Sequence, residues 1–174
     1  IHASRAGARI GPDGEPILLL EQDRGRWDRL LISLGLKALQ RAERLGGAKG
    51  PYALQAAIAA CHARATRAED TDWARIAALY AALVAVVRSP VVELNRAVAV
   101  SMSEGPGVAL DIVESLVDEP SMRDYHLLPS VQGDLLFRLG RFAEAREAFL
   151  RAAAMTRNER EQALLTSRAA ACTE

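Results

Sequence analysis

Aromatic residues are scarce in this chain, with eight rings of Phe, Trp and Tyr among 174 residues. A core built on stacked rings is therefore excluded, and Ala, Leu and Val must fill the interior. Half of the residues are hydrophobic, which suits closely packed helices, because Ala lets helix axes approach and Leu fills the gaps between them. Net charge is missing too. The 22 basic residues balance 22 acidic ones, so no global field draws the chain onto nucleic acid or an anionic membrane surface. Cysteine is limited to Cys61 and Cys172, far apart and outside any paired motif, which reads as two reduced thiols in a cytoplasmic protein. No apolar run approaches the roughly 18 residues that a membrane span needs, and no signal peptide is visible. The sequence starts Ile-His-Ala-Ser-Arg without Met, so it is expected to be a piece of a longer protein.

Catalytic constellations are absent as well. His2, His62 and His126 stand apart, and none belongs to a metal-ligand pair such as H-x-x-x-H. Cys61 and His62 are adjacent, but consecutive helical residues point about 100° apart and do not share a ligand. There is no phosphate-binding Gly loop, no G-x-S-x-G elbow and no H-E-x-x-H. Gly105-Pro106-Gly107 follows a helix pattern and reads as a turn. Neither an enzyme nor a cofactor or metal protein is expected.

What is present is helical periodicity. Residues 1–20 crowd Gly7, Gly11, Pro12, Gly14 and Pro16 around a Pro-Asp-Gly turn signal at 12–14, predicting a linker with one short hairpin. From Asp23 the period changes. Trp27, Leu30, Leu31, Leu34, Ala38, Ala42 and Leu45 recur at spacings of three and four, predicting one apolar stripe on a helix over 23–45 that ends at Gly46-Gly47. Further helices are expected at about 51–65, 72–87, 90–103, 107–117, 125–139, 142–155 and 158–171. The short links between them imply antiparallel neighbours.

These helices read as a repeat. Gly133-Asp134-Leu135-Leu136-Phe137-Arg138-Leu139-Gly140-Arg141-Phe142-Ala143-Glu144-Ala145, continuing to Phe149 and Ala152, matches the tetratricopeptide (TPR) pattern of small residue, aromatic, Leu-Gly turn, Ala, aromatic, Ala. Gly133 and Ala145 are placed where two helices cross, which only small side chains permit, and Phe149 and Ala152 face the next unit. Sliding the template back 36 residues reaches Ala97, Ala109, Val113 and Leu116. A further shift reaches Ile76, Tyr80 and Leu83, with Trp73 where Phe142 stands. The expected fold is all-α: TPR-like hairpins over about 51–87, 90–117 and 125–155, stacked as a short right-handed solenoid. An extra N-terminal helix and a C-terminal cap over 158–172 complete a single domain over 21–174.

Two patches are candidates for contact with a partner or another domain. The densest polar cluster supplies Asp23, Arg24, Trp27 and Asp28. It reads either as a charged helix start, with Asp23 as cap and an Arg24–Asp28 ion pair over a buried Trp27, or as an interface anchored by Arg and Trp. Tyr52 and Gln55 form the second patch. A groove along the first helices of the hairpins is expected to be lined by Val91, Leu94, Val98 and Ser101 in one unit and by Ser130, Asp134, Phe137 and Arg138 in the next. That lining is largely apolar, so a cover from the 23–45 helix, another domain or a partner is expected.

The motifs Asp23-Arg24-Gly25-Arg26-Trp27-Asp28-Arg29, Gly50-Pro51-Tyr52-Ala53-Leu54-Gln55-Ala56-Ala57-Ile58-Ala59-Ala60-Cys61-His62-Ala63, Thr71-Asp72-Trp73, Ser89-Pro90-Val91-Val92-Glu93-Leu94-Asn95-Arg96-Ala97-Val98-Ala99 and Tyr125-His126-Leu127-Leu128-Pro129 occur in that order. In this order they resemble the extracytoplasmic-function (ECF) RNA polymerase sigma factors of bacteria that carry a long TPR-like C-terminal extension. The likeness runs over about residues 1–168, and the order of the motifs is more specific than any one of them. It implies a regulatory extension whose polymerase-binding and promoter-reading regions lie before it, with residues 1–20 as the link to those regions. The implied partners are its own sigma regions, core RNA polymerase or a separate regulatory protein, with no nucleic acid or membrane bound by this piece. A free TPR scaffold that binds a peptide, with no part in transcription, is the other reading.

Overall fold

Gly and Pro punctuate the helices where their backbone chemistry allows. The computed structural model describes residues 1–12, 14 and 17–173. Among these described residues the regular structure consists of eight α-helices and five 3-10 segments, so the all-helical expectation holds. The chain divides into two compact units, Ile1–Val87 and Arg88–Glu174.

The first unit holds α1 (Arg29–Arg44), α2 (Pro51–Arg64) and α3 (Trp73–Val87), with α2 packed against both of the others. Pro51 opens α2 at a position where its missing N–H costs nothing. Gly46, at φ 78°, follows α1 in the left-handed region that a residue with a Cβ enters only with strain. Residues His2–Ala8 form a 3-10 helix. The Ser4 carbonyl accepts the Asp28 N–H at 2.9 Å, which ties this segment to the start of α1. The Ile17 N–H donates to the Arg9 carbonyl at 2.9 Å. Asp13 and Pro16 of the expected turn lie outside the described residues.

Two sequence expectations about α1 are corrected. The helix starts at Arg29, not at Asp23. Asp23 accepts the Gly25 N–H at 2.8 Å and caps only a three-residue 3-10 turn, Arg24–Arg26. Trp27 is extended, and Asp28 caps α1 by accepting the Leu31 N–H at 3.0 Å. The extended residue lets the indole turn inward, where it packs with Ala8, Ile32 and Ala63. The second correction concerns the apolar stripe. Ile32 and Leu39 are buried, whereas Leu30, Leu34 and Leu45 are 68%, 54% and 77% exposed. Apolar residues cover far more of the circumference of α1 than one core contact can bury, and the inward turn of Trp27 selects the Ile32 face.

The second unit holds α4 (Pro90–Ser103), α5 (Pro106–Glu114), α6 (Leu127–Arg138), α7 (Phe142–Met155) and α8 (Glu159–Ala170). α4 packs on α5, α6 on α7, and α7 on α8, while α6 also touches α4 and α5. Ala97, Ala109 and Val113 are fully enclosed at the α4–α5 crossing, where small side chains were expected. Between α6 and α7 the chain turns on Gly140, at φ 74°. There the Arg141 N–H returns to the Leu136 carbonyl at 2.9 Å and the Gly140 N–H to that of Phe137 at 3.0 Å. These bonds satisfy carbonyls that a helix end otherwise leaves open.

Gly133 and Phe149 set how closely α6 and α7 approach. Phe149 is fully buried, and a Cβ on Gly133 would lie 2.8 Å from two of its ring carbons. Phe149 also lies under α8, where the Arg168 guanidinium sits 4.6 Å from the ring centre and pairs with Asp134. Asn158 caps α8, its side chain accepting the Arg160 N–H.

Gly133→Ala should destabilise the chain by about 1–3 kcal/mol, because the ring cannot retreat from a packed crossing. Gly107→Ala, in α5 with nothing within 4 Å of the new methyl, should be neutral or stabilise by up to about 1 kcal/mol. Urea denaturation followed by circular dichroism measures both, and equal effects would refute the crossing argument.

Candidate functional site

The polar cluster before α1 turns out to be anchored by a buried guanidinium. Arg24 is 5% exposed. Its Nη1 donates to the carbonyls of His62 and Ala65, each at 3.0 Å, and its Nη2 to Thr71 Oγ1 at 3.0 Å. The two carbonyls belong to the end of α2, so Arg24 supplies donors and positive charge where a helix terminus exposes bare oxygens. Its guanidinium carbon lies 5.2 Å from the Trp27 ring centre, and that of Arg5 lies 5.8 Å from the same ring. Burial lowers the Arg24 pKa, which Asp70 and Glu69 partly offset, and the group remains a cation. The expected Arg24–Asp28 ion pair does not form, because Arg24 points into the unit while Asp28 is spent on the cap.

His62 sits beside this cation. Burial first, then the charges of Arg24, Arg5 and His2, lower its pKa from 6.5 to about 4. Its ring stands edge-on to Trp73 at 5.3 Å. His62 Nδ1, Trp27 Nε1, Arg24 Nε and Gln22 Oε1 are buried without a hydrogen-bond partner, so polar atoms short of partners gather around one cluster. Sequence reading weighed His62 only as a metal ligand or a partner of Cys61, and met Thr71 only within the motif Thr71-Asp72-Trp73, so neither was seen as a neighbour of Arg24.

The remaining contact candidates face outward. Asp23, Asp28 and Gln55 are exposed, and Tyr52 is 86% exposed. The structure thus separates Arg24 and Trp27, held inside, from Asp23, Asp28, Tyr52 and Gln55 on the surface. Nearby, a cavity of about 310 Å3 is lined by Cys61, Arg64, Asp72 and Arg75, among others. Burial raises the pKa of the Cys61 thiol, which works against a reactive thiolate there. Among the described residues no group of His, Cys, Asp or Glu could hold a metal ion, and no helix is long and apolar enough to cross a membrane.

In the second unit the expected groove lining divides. Leu94 is buried and belongs to the core; α4 turns that residue inward against its neighbours. Val91, Val98 and Phe137 are each a little over one third exposed. Ser130 is half-buried, and Asp134 is taken by Arg168 of α8. Arg138 ties α6 to α4, donating to the Ser101 carbonyl at 2.9 Å and to its Oγ at 3.0 Å. The first helices of the two hairpins therefore lie side by side, with Val98 and Phe137 on the open surface.

Residues 1–43 match the model of a family of unknown function, DUF6596. The chain is also similar to an uncharacterized protein of Rhizobium meliloti (strain 1021), 49% identical over 162 residues. That match covers 93% of the chain but only 38% of the relative's length. No solved structure matches.

Arg24→Ala should cost about 2–4 kcal/mol in thermal or urea unfolding, because it strips two helix-end carbonyls and Thr71 of their donor. A loss below about 0.5 kcal/mol, the size of an ordinary surface substitution, would show that Arg24 is no anchor. His62 gives a pH signature. Below pH 6.5 the unfolded chain takes up a proton that the folded chain refuses until about pH 4, so stability falls as pH drops through that window. The full loss is about 3 kcal/mol. In His62→Phe this part of the slope should vanish, and parallel curves for the two proteins would contradict the assignment.

Proposed function

We propose that this chain is the C-terminal regulatory, protein-interaction domain of an ECF-type RNA polymerase sigma factor, modulating transcription initiation in the cytoplasm. The observation that carries the reading is the order of motifs from Asp23-Arg24-Gly25-Arg26-Trp27 to Tyr125-His126-Leu127-Leu128-Pro129. Several further features fit it. The charge is balanced, as expected for a domain that leaves DNA reading to other regions. The hairpins α4–α5 and α6–α7 are compatible with a short right-handed TPR-like solenoid. The relative from Rhizobium meliloti is longer than the match, the chain spanning 38% of it. Polymerase- and promoter-binding regions would lie in such additional sequence. Partners would be the factor's own sigma regions, core RNA polymerase or a separate regulatory protein. No cofactor, metal or catalytic step enters the reading.

A second reading, a TPR scaffold that binds a peptide without a role in transcription, draws on the open surface around Val98 and Phe137 beside the Arg138–Ser101 tie.

The test is transcription itself. A full-length factor with and without residues 1–174 is assayed on its own promoter with purified core polymerase. The expected outcome is a several-fold change in promoter-dependent transcript or the loss of its regulation. Unchanged activity and unchanged regulation would sink the sigma-factor reading.

A further inference from the structure

We infer that the chain associates head to tail with a second copy of itself, the outward stripe of α1 in one copy seating on the acidic segment around α5 in the other. No part of the transcription reading enters this contact. The balanced charge of the chain is unevenly distributed. Residues 29–64 hold six cations against the single anion Glu43, and residues 104–124 hold six anions against the single cation Arg123. Overall neutrality thus conceals two segments of opposite sign, one in each unit.

On α1, Leu30, Leu34, Lys37 and Arg41 follow one another at spacings of four, three and four, which sets them in one stripe. That stripe lies opposite Ile32 and Leu39, the residues that α1 buries. All four of its members are exposed. Arg44 continues the row, and none of Lys37, Arg41 and Arg44 holds a carboxylate among the described residues. Cations in a last helical turn offset the helix dipole, but that accounts neither for Lys37 nor for the two exposed leucines in line with it.

Residues 104–124 present the matching surface. α5 exposes Val108, Asp111 and Glu114 on the side away from its buried Ala109, Leu110 and Val113. The turn that follows adds Val117 and Asp118, both exposed. Asp111, Glu114 and Asp118 are spaced three and four apart and Lys37, Arg41 and Arg44 four and three, so an antiparallel placement matches them in order. Arg96 and Arg141 feel the charges of Glu104 and Glu114, but each is bonded to a different carboxylate, Glu93 and Glu144. Among the described residues none of the six anions enters an ion pair. Exposed ion pairs contribute little each, so contact of the leucines with Val108 and Val117 supplies attraction while the charges fix orientation. Two α1 stripes, or two acidic segments, would set like charges together. The contact is therefore head to tail, and each copy keeps one face open for the next. An anionic bilayer would engage α1 and repel the acidic segment.

In sedimentation equilibrium the 174-residue chain should show a mean mass that rises with protein concentration, and less steeply in high salt. Lys37→Glu/Arg41→Glu and Asp111→Lys/Asp118→Lys should each self-associate about tenfold or more weakly. Leu30→Ser/Leu34→Ser, which changes no charge, should weaken association as well. Mixed in equal amounts, the two charge-reversed variants should associate again, because each face of one then meets a face of opposite sign on the other. Circular dichroism checks that all three variants keep their helix content. Four outcomes overturn the inference: a chain monomeric at every concentration, association that neither charge reversal weakens, a mixture that associates no better than its components, or a monomer that binds phosphatidylglycerol vesicles through Lys37 and Arg41.

Discussion

A cation sealed inside a protein with no carboxylate bonded to it must be held by dipoles, and Arg24 finds them at the end of α2. That requirement organises the first unit. The guanidinium reaches the His62 and Ala65 carbonyls and the Thr71 hydroxyl only if three stretches meet: the turn before α1, the last turn of α2 and the start of α3. Once they meet, Trp27 packs beneath the cation, His62 is held neutral beside it, and α1 begins where Asp28 caps it. The length of α1 and the face it buries follow from the same bonds.

The second unit solves its packing by different means. Its closest approach is apolar, Gly133 against Phe149, and charged groups act at the margins, Arg138 joining α6 to α4 and Arg168 pairing with Asp134 above the Phe149 ring. Those guanidiniums remain partly in contact with solvent, so each holds surfaces together at modest energetic consequence. Arg24, by contrast, has no water to fall back on. Stability of the two units should therefore respond to different chemistry, polar satisfaction in one and van der Waals fit in the other.

The buried polar atoms without a hydrogen-bond partner belong to Gln22, Arg24, Trp27 and His62 in the first unit, and the Cys61 thiol is pushed away from its reactive form. What the surface offers instead is apolar area: the exposed leucines of α1, and the Val98–Phe137 surface between α4 and α6.

The spacing of apolar residues, the prolines at helix starts and the glycines at helix ends made the helices legible before any coordinates. Gly133, Ala145, Ala97 and Ala109 marked the crossings correctly, because a close approach tolerates so few side chains that the constraint shows in residue size. The face of α1 and the role of Arg24 were not legible. Periodicity reports that Leu30, Leu34, Ile32 and Leu39 all lie on one helix, but not which of them the neighbours reach. The partners of Arg24 lie 38, 41 and 47 residues away in the chain, a distance at which local spacing carries no information. Sequence alone thus determined, the start of α1 excepted, where this chain is helical and which small residues let two helices touch. Tertiary structure decided which surfaces were left over, because only the folded unit shows how much apolar area its own packing can cover.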